Sequence, residues 1–338
     1  MGTASGMANS EVVVVTGASS GIGRAIARRF GQDGARIGLI ARGRDGLQGA
    51  SEEIERAGGQ PLVVPTDLAD WDAVSSAAQV VEEAFGPIDI WINNAMATIF
   101  APFSEMGADE FRRATEVTYL GTVWGTKAAL ERMRPRDRGT IVIVGSALAY
   151  RGIPLQAAYC GAKHGVKGVF ESLRTELRHD KSHVHLSMVQ LPGVNTPQFL
   201  HGRSKMPKVP QPMPPYYEPE VAADAVHWAA HHRRREIYVG GPTVKTIVGN
   251  KVAPWLVERV LAKEGFQGQQ SDKPRDPSRP DNLFSPPPGD PGAHGPFEGK
   301  ARTSSIQLQL AKRRGLLGAA AGTVLMLTGS LVLGRRFG

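Results

Sequence analysis

Tyr159 and Lys163 stand four residues apart, a spacing that on a helix sets a phenol and an ammonium on one face. A neighbouring cation favours the phenolate, so such a pair can exchange a proton with a substrate oxygen near neutral pH. Ser146 lies thirteen residues upstream, just past a strand-forming run, at the kind of strand end where open α/β sheets bind ligands. Near the start of the chain, Thr16-Gly17-Ala18-Ser19-Ser20-Gly21-Ile22-Gly23 joins the β-branched run Val12 to Val15 to a helical pattern. Glycines at such a junction bring backbone amides against a pyrophosphate, and the helix N-terminus adds positive potential. The next strand ends Leu39-Ile40-Ala41-Arg42. An acid there would bond both ribose hydroxyls of NAD, whereas Arg42, assisted by Arg44, can pair with the 2′-phosphate of NADP.

The elements that must position these groups alternate. Strands are expected at Val12 to Val15, Arg36 to Ala41, Leu62 to Pro65, Ile88 to Ile92, Thr140 to Val144, His185 to Gln190 and Glu236 to Val239. Helical patterns at Arg24 to Gln32, Asp45 to Ala57, Trp71 to Phe85, Asp109 to Met133 (broken near Val117), Ala157 to Arg178 and Pro219 to Ala230 separate them. Seven strands alternating with helices predict an α/β fold, a single Rossmann-like doubly wound parallel sheet with right-handed crossovers. The expected organisation is a flexible start (1–10), a catalytic nucleotide-binding domain (11–241) and a helical annex (242–264). A disordered Pro/Gly-rich linker (265–311) would follow, carrying eight prolines and five glycines between Phe266 and Lys300.

Twenty residues without a charge run from Gly315 to Gly334, between Lys312-Arg313-Arg314 and Arg335-Arg336. At 1.5 Å per residue a helix of that length spans about 30 Å, so a C-terminal transmembrane helix contacting membrane lipid is expected. Its basic flanks can snorkel to the headgroups.

The 338 residues carry a net charge of +8 and one cysteine, Cys160. A chain of this size can bury a sizeable core, and a lone cysteine forms no internal disulfide, which points to a cytoplasm-facing catalytic domain on a membrane anchor. No signal peptide is read in the first ten residues. The basic runs lack interleaved aromatics, which argues against a nucleic-acid partner. The histidines show no metal-ligand spacing, and Cys160 reads as a small packing residue.

Taken together, Thr16-Gly17-x-x-x-Gly21-x-Gly23, Asp67, Asn93-Asn94-Ala95, Ser146, Tyr159-x-x-x-Lys163 and Pro192-Gly193-x-x-Thr196 resemble the short-chain dehydrogenase/reductase family over roughly residues 11 to 241. The resemblance implies an NADP-dependent oxidoreductase interconverting an alcohol and a carbonyl, with NAD the less favoured cofactor. It implies that Tyr159 is the general acid/base, that Ser146 polarises the substrate oxygen, and that Lys163 binds the nicotinamide ribose and lowers the tyrosine pKa. Asp67 would contact the adenine, Asn93 the cofactor-side backbone of the fourth strand, and Thr196 the nicotinamide amide. A homo-oligomer is also expected.

Two positions depart from the family pattern. Met96 replaces the glycine of Asn-Asn-Ala-Gly, and Thr118 replaces an asparagine thought to hold a proton relay, so Thr118 is carried as a catalytic candidate. The segment between Pro197 and Pro219 resembles a substrate-covering loop, and its Met206, Met213, Tyr216 and Tyr217 suit an apolar small-molecule substrate. The rival reading is a membrane-tethered nucleotide-binding or scaffold protein with impaired catalysis.

Overall fold

The computed structural model describes residues 10–313. Strands β1 (Val12–Thr16), β2 (Arg36–Ala41), β3 (Gln60–Pro65), β4 (Ile90–Asn93), β5 (Thr140–Ser146), β6 (His185–Leu191) and β7 (Glu236–Tyr238) form one sheet. Its order is β7-β6-β5-β4-β1-β2-β3, every pair parallel. The run Val12 to Val15 is buried throughout because both faces of the sheet are covered. The chain steps outward from β1 to β3 and then returns to β4 on the other side of β1. Carboxyl ends of β1 and β4 therefore diverge, which opens a crevice at the point where the strand order reverses.

Helices α1 (Gly21–Gly31), α2 (Arg44–Ala57), α3 (Trp71–Phe85), α4 (Ala108–Thr115), α5 (Gly121–Met133) and α6 (Ala157–His179) make the crossovers. One face of the sheet packs Val13, Val15 and Ile37 with Ile26 and Phe30 of α1 and Leu47 of α2. The other packs Val14, Ile40 and Trp91 with Val74 and Val81 of α3, Ala128 of α5 and Phe170 of α6. The break expected near Val117 is a π-helical turn, Glu116–Leu120. After the four-residue turn α7 (Gln198–His201) come α8 (Pro219–His231), α9 (Gly240–Val252) and α10 (Pro254–Glu264). Pro254 starts a helix, where its missing N–H costs nothing.

The stretch 265–311 is not the disordered linker its composition suggested. Gln270–Pro274 pairs antiparallel with Lys208–Pro210, and Leu283, Ala293, Phe297 and Leu308 are buried. Phe297 sits between Phe199 and Tyr216, with ring centroids 5.7 and 5.4 Å away. Helix α11 (Ile306–Lys312) begins at Ser305, whose hydroxyl accepts from the Leu308 amide. A few widely spaced apolar plugs and many backbone hydrogen bonds order this segment, and neither leaves a periodic trace. The flexible 1–10 segment, but for Ser10, and the expected transmembrane helix 315–334 lie outside the described residues. Among the described residues no helix is long and apolar enough to cross a membrane.

Truncating Phe297 tests whether this segment belongs to the core. Phe297→Ala should lower the unfolding free energy in urea by about 3 kcal/mol, the usual loss for a buried phenylalanine. A segment that is merely tethered would leave the urea midpoint unchanged.

Candidate active site

Ser146 is the last residue of β5, and Tyr159 and Lys163 occupy the first two turns of α6, which passes beside that strand end. The Ser146 hydroxyl accepts from the Leu148 amide (3.1 Å) and stands close enough to the Tyr159 phenol to pull against its proton affinity. The Lys163 ammonium is almost wholly buried, donates to the Val144 carbonyl at 2.8 Å, and lies 5.6 Å from the Tyr159 ring centroid. Burial pulls the lysine down to about 8. For Tyr159 burial dominates and pushes the phenol above its usual value, against the smaller opposing pull of the Ser146 hydroxyl. Burial therefore outweighs the lowering expected from the neighbouring lysine. Cys160 is buried, and that burial pushes its thiol up, in line with packing rather than redox chemistry.

The crevice between β1 and β4 forms a pocket lined by Gly17, Ser19, Ser20, Gly21, Ile22, Arg42, Asp67, Met96 and Thr196, with Asn94 on its wall. Gly17 takes a left-handed φ of +69°, and a Cβ on Gly23 would collide with the Gly17 carbonyl oxygen, so the loop closes only with glycine at both places. Thr16 ties the two strands together: its hydroxyl donates to the Ile92 carbonyl and accepts from the Asn94 amide at 2.9 Å. The Asn94 side chain donates to the Thr16 carbonyl at 3.0 Å. At the far end, burial would raise the Asp67 carboxyl, yet Arg113, 2.5 Å away, holds it below its usual value.

Three sequence expectations change here. Asn93 points away from the pocket: its amide accepts from the Trp91 indole (3.0 Å) and donates to Thr126 (3.0 Å) in the core. Its neighbour Asn94 takes the cleft-facing position, and Arg113, which reading the sequence missed, holds Asp67. Thr118 is fully buried, donates to the Ala97 carbonyl and accepts from the Ala97 amide, both at 2.9 Å. A hydroxyl has one proton to give, and this one is committed, so Thr118 clamps the loop bearing Met96 instead of relaying protons. Met206, Tyr216 and Tyr217 are buried, with Met206 and Tyr216 in a cluster with Phe100, Leu155, Phe199 and Phe297, rather than open to a substrate.

The strapping of this pocket by the 282–297 segment was also not foreseen. Arg42 donates to the carbonyls of Asn282 (2.6 Å), Phe284 (2.8 Å) and Leu283 (3.3 Å). Asn282, Pro286, Pro287, Gly289 and Pro291 complete the pocket wall. Leu283 is fully buried among Ala97, Val117 and Ala158, the residue before Tyr159.

Residues 11–206 match the short chain dehydrogenase family. The chain is 29% identical over 276 residues to the uncharacterized oxidoreductase YxnA of Bacillus subtilis (strain 168), covering 81% of this chain and 78% of that one. It is 32% identical over 204 residues to a 3-dehydrosphinganine reductase of Danio rerio, covering 59% of this chain and 61% of the relative, less than two thirds of that protein's length. Among solved structures, an alcohol dehydrogenase from the archaeon Thermococcus sibiricus complexed with 5-hydroxy-NADP superposes with a TM-score of 0.60 at 27% identity, over 68% of this chain and 95% of that one. With the crevice at the strand-order switch and the Ser146, Tyr159 and Lys163 arrangement, the match across more than half its length establishes that this chain belongs to the short-chain dehydrogenase family.

Proposed function

We propose that the chain is an NADP(H)-dependent oxidoreductase that interconverts a carbonyl and an alcohol on a lipophilic small molecule. One observation carries the reading: Ser146, Tyr159 and buried Lys163 gather at the carboxyl end of β5, the strand next to β4, whose own end borders the glycine-loop pocket. The pocket fits a dinucleotide. Its glycines admit close backbone approach, and Arg42 sets a cation where a 2′-phosphate would lie. Ser19, Ser20 and Ile22 would hold the phosphates, Asp67 the adenine end and Thr196 the nicotinamide end.

A bound nicotinamide supplies or takes the hydride at the reacting carbon. Tyr159 gives its proton to the carbonyl oxygen in reduction, and its raised pKa keeps that proton loaded in the resting site. Ser146 bonds the same oxygen and orients it. Lys163 spends one of three N–H donors on Val144 and keeps two for the ribose hydroxyls. A lipophilic substrate is supported by the likeness to a 3-dehydrosphinganine reductase. The uncharged run 315–334 supports a membrane anchor on sequence grounds.

Oxidation of NADPH by the purified chain, followed by absorbance against a panel of long-chain ketones, tests the reading. Tyr159→Phe should lower turnover by at least about 10²-fold while NADPH binding stays intact, the usual yield of general acid catalysis. Equal turnover in the variant would remove Tyr159 from the mechanism.

Lys163 predicts a pH dependence. Its ammonium is charged below about 8 and neutral above. NADPH affinity should therefore fall as pH rises through that value, by up to about tenfold per unit. Lys163→Met should bind more weakly with a flat profile, and a pH step that survives in the variant assigns it elsewhere.

Thr118→Val keeps the shape and removes both bonds to Ala97. Leaving that buried amide and carbonyl unpaired should cost about 1–3 kcal/mol of stability and weaken NADPH binding, whereas Thr118→Ser should retain both. A Val variant with wild-type stability and binding would contradict the clamp.

A further inference from the structure

Residues 282–297 run the length of the nucleotide pocket and are fastened at every turn. Beyond the three carbonyls on Arg42, Leu283 also accepts from Arg113 (3.3 Å). The Gly289 amide donates to Asp45 (3.0 Å), Asp290 pairs with the buried Arg24 of α1, and the Gly292 carbonyl accepts from the Gly21 amide (3.0 Å). His294 meets Glu220 of α8 at 3.0 Å, and the Phe297 amide donates to the Asn195 side chain at 3.1 Å. This segment is joined to the glycine loop, α2, α4 and α8 at once.

We propose that 282–297 is a clasp that closes over the bound dinucleotide and retains it, so that opening of the clasp sets the rate of cofactor exchange. The inference rests on the cofactor reading above and goes beyond it.

Three features distinguish a clasp from a plug that competes with the cofactor. The segment leaves a cavity between Gly17, Ser19 and Thr196 on one wall and Pro286, Pro287, Gly289 and Pro291 on the other, and it meets the glycine loop through the Gly292 carbonyl on the Gly21 amide. A phosphate mimic would present an acid to the glycine loop. Here the one acid between Ser285 and Gly295, Asp290, is turned onto Arg24, and the lining is proline and glycine. Finally, the clasp does not exhaust Arg42. A guanidinium has five N–H groups, three are spent on the carbonyls, and Nε–H and one Nη2–H are left for a phosphate. The carbonyls thus orient Arg42 at the end of β2. Prolines 286, 287, 288 and 291 stiffen the open chain, which lowers the entropy lost on closing.

The test uses the full chain and the Asp290→Asn variant, which keeps the side-chain shape and removes the negative charge that faces Arg24. Stopped-flow fluorescence follows NADPH release into excess NADP, and hydrogen exchange follows the amides of Gly289 and Gly292. The clasp predicts at least about tenfold faster release in the variant, a raised dissociation constant, and amides that NADPH protects in the wild type more than in the variant. His294→Ala, at the other end of the segment, should also speed release. Unchanged release in both variants, or tighter NADPH binding when the charge is removed, overturns the clasp, the second result marking the segment as a competitor. If the wild type binds neither NADPH nor NADH, the cofactor reading itself fails and the clasp falls with it.

Discussion

The missing side chain at Gly23 is the constraint on which the cleft depends. With hydrogen alone on its Cα, α1 can start against the Gly17 carbonyl, and the helix N-terminus then points into the crevice left where β1 and β4 part. Asn94 closes the same junction from the β4 side, donating to Thr16, so the glycine loop is held on two sides by backbone geometry and one amide. The residues that line this pocket, from Arg42 at the end of β2 to Thr196 after β6, are gathered around that junction.

The second organising feature is burial of charge beside Ser146 and Tyr159. Lys163 sits in the interior because one carbonyl of β5 receives it and because α6 begins just where that strand ends. The same burial that loosens the lysine's hold on its proton tightens the tyrosine's. An acid loaded with its proton next to an amine near its titration point is a pairing that the entry of an anionic cofactor can rebalance, since the negative charge favours the ammonium.

The sheet, the break in the helix near Val117 and the placing of Ser146, Tyr159 and Lys163 at one strand end were legible in the sequence because each leaves a local pattern: β-branched runs, 3.6-residue periodicity, or a fixed spacing along the chain. That the Asn93 side chain faces the core could be read from the alternation of strand side chains, since residues two apart share a face and Trp91 is a core residue. Thr118 was legible in position but not in role, which depended on Ala97, twenty-one residues away along the chain. The segment from 265 onward was the largest loss. Its order comes from carbonyls meeting Arg42 some 240 residues distant and from four isolated apolar plugs, and nothing in a proline-rich composition announces a partner that far off.

Helix α11 follows the nucleotide-covering segment and ends at Lys312, whose ammonium pairs with Asp224 of α8, while Leu308 is buried in the core beside the sheet. The chain therefore docks a second time before residue 314. A pull transmitted along the backbone from beyond that point is borne first by the Leu308 plug and the Lys312 pair, not by the contacts around the nucleotide pocket. The docked helix acts as a strain relief between the pocket and the chain beyond residue 313.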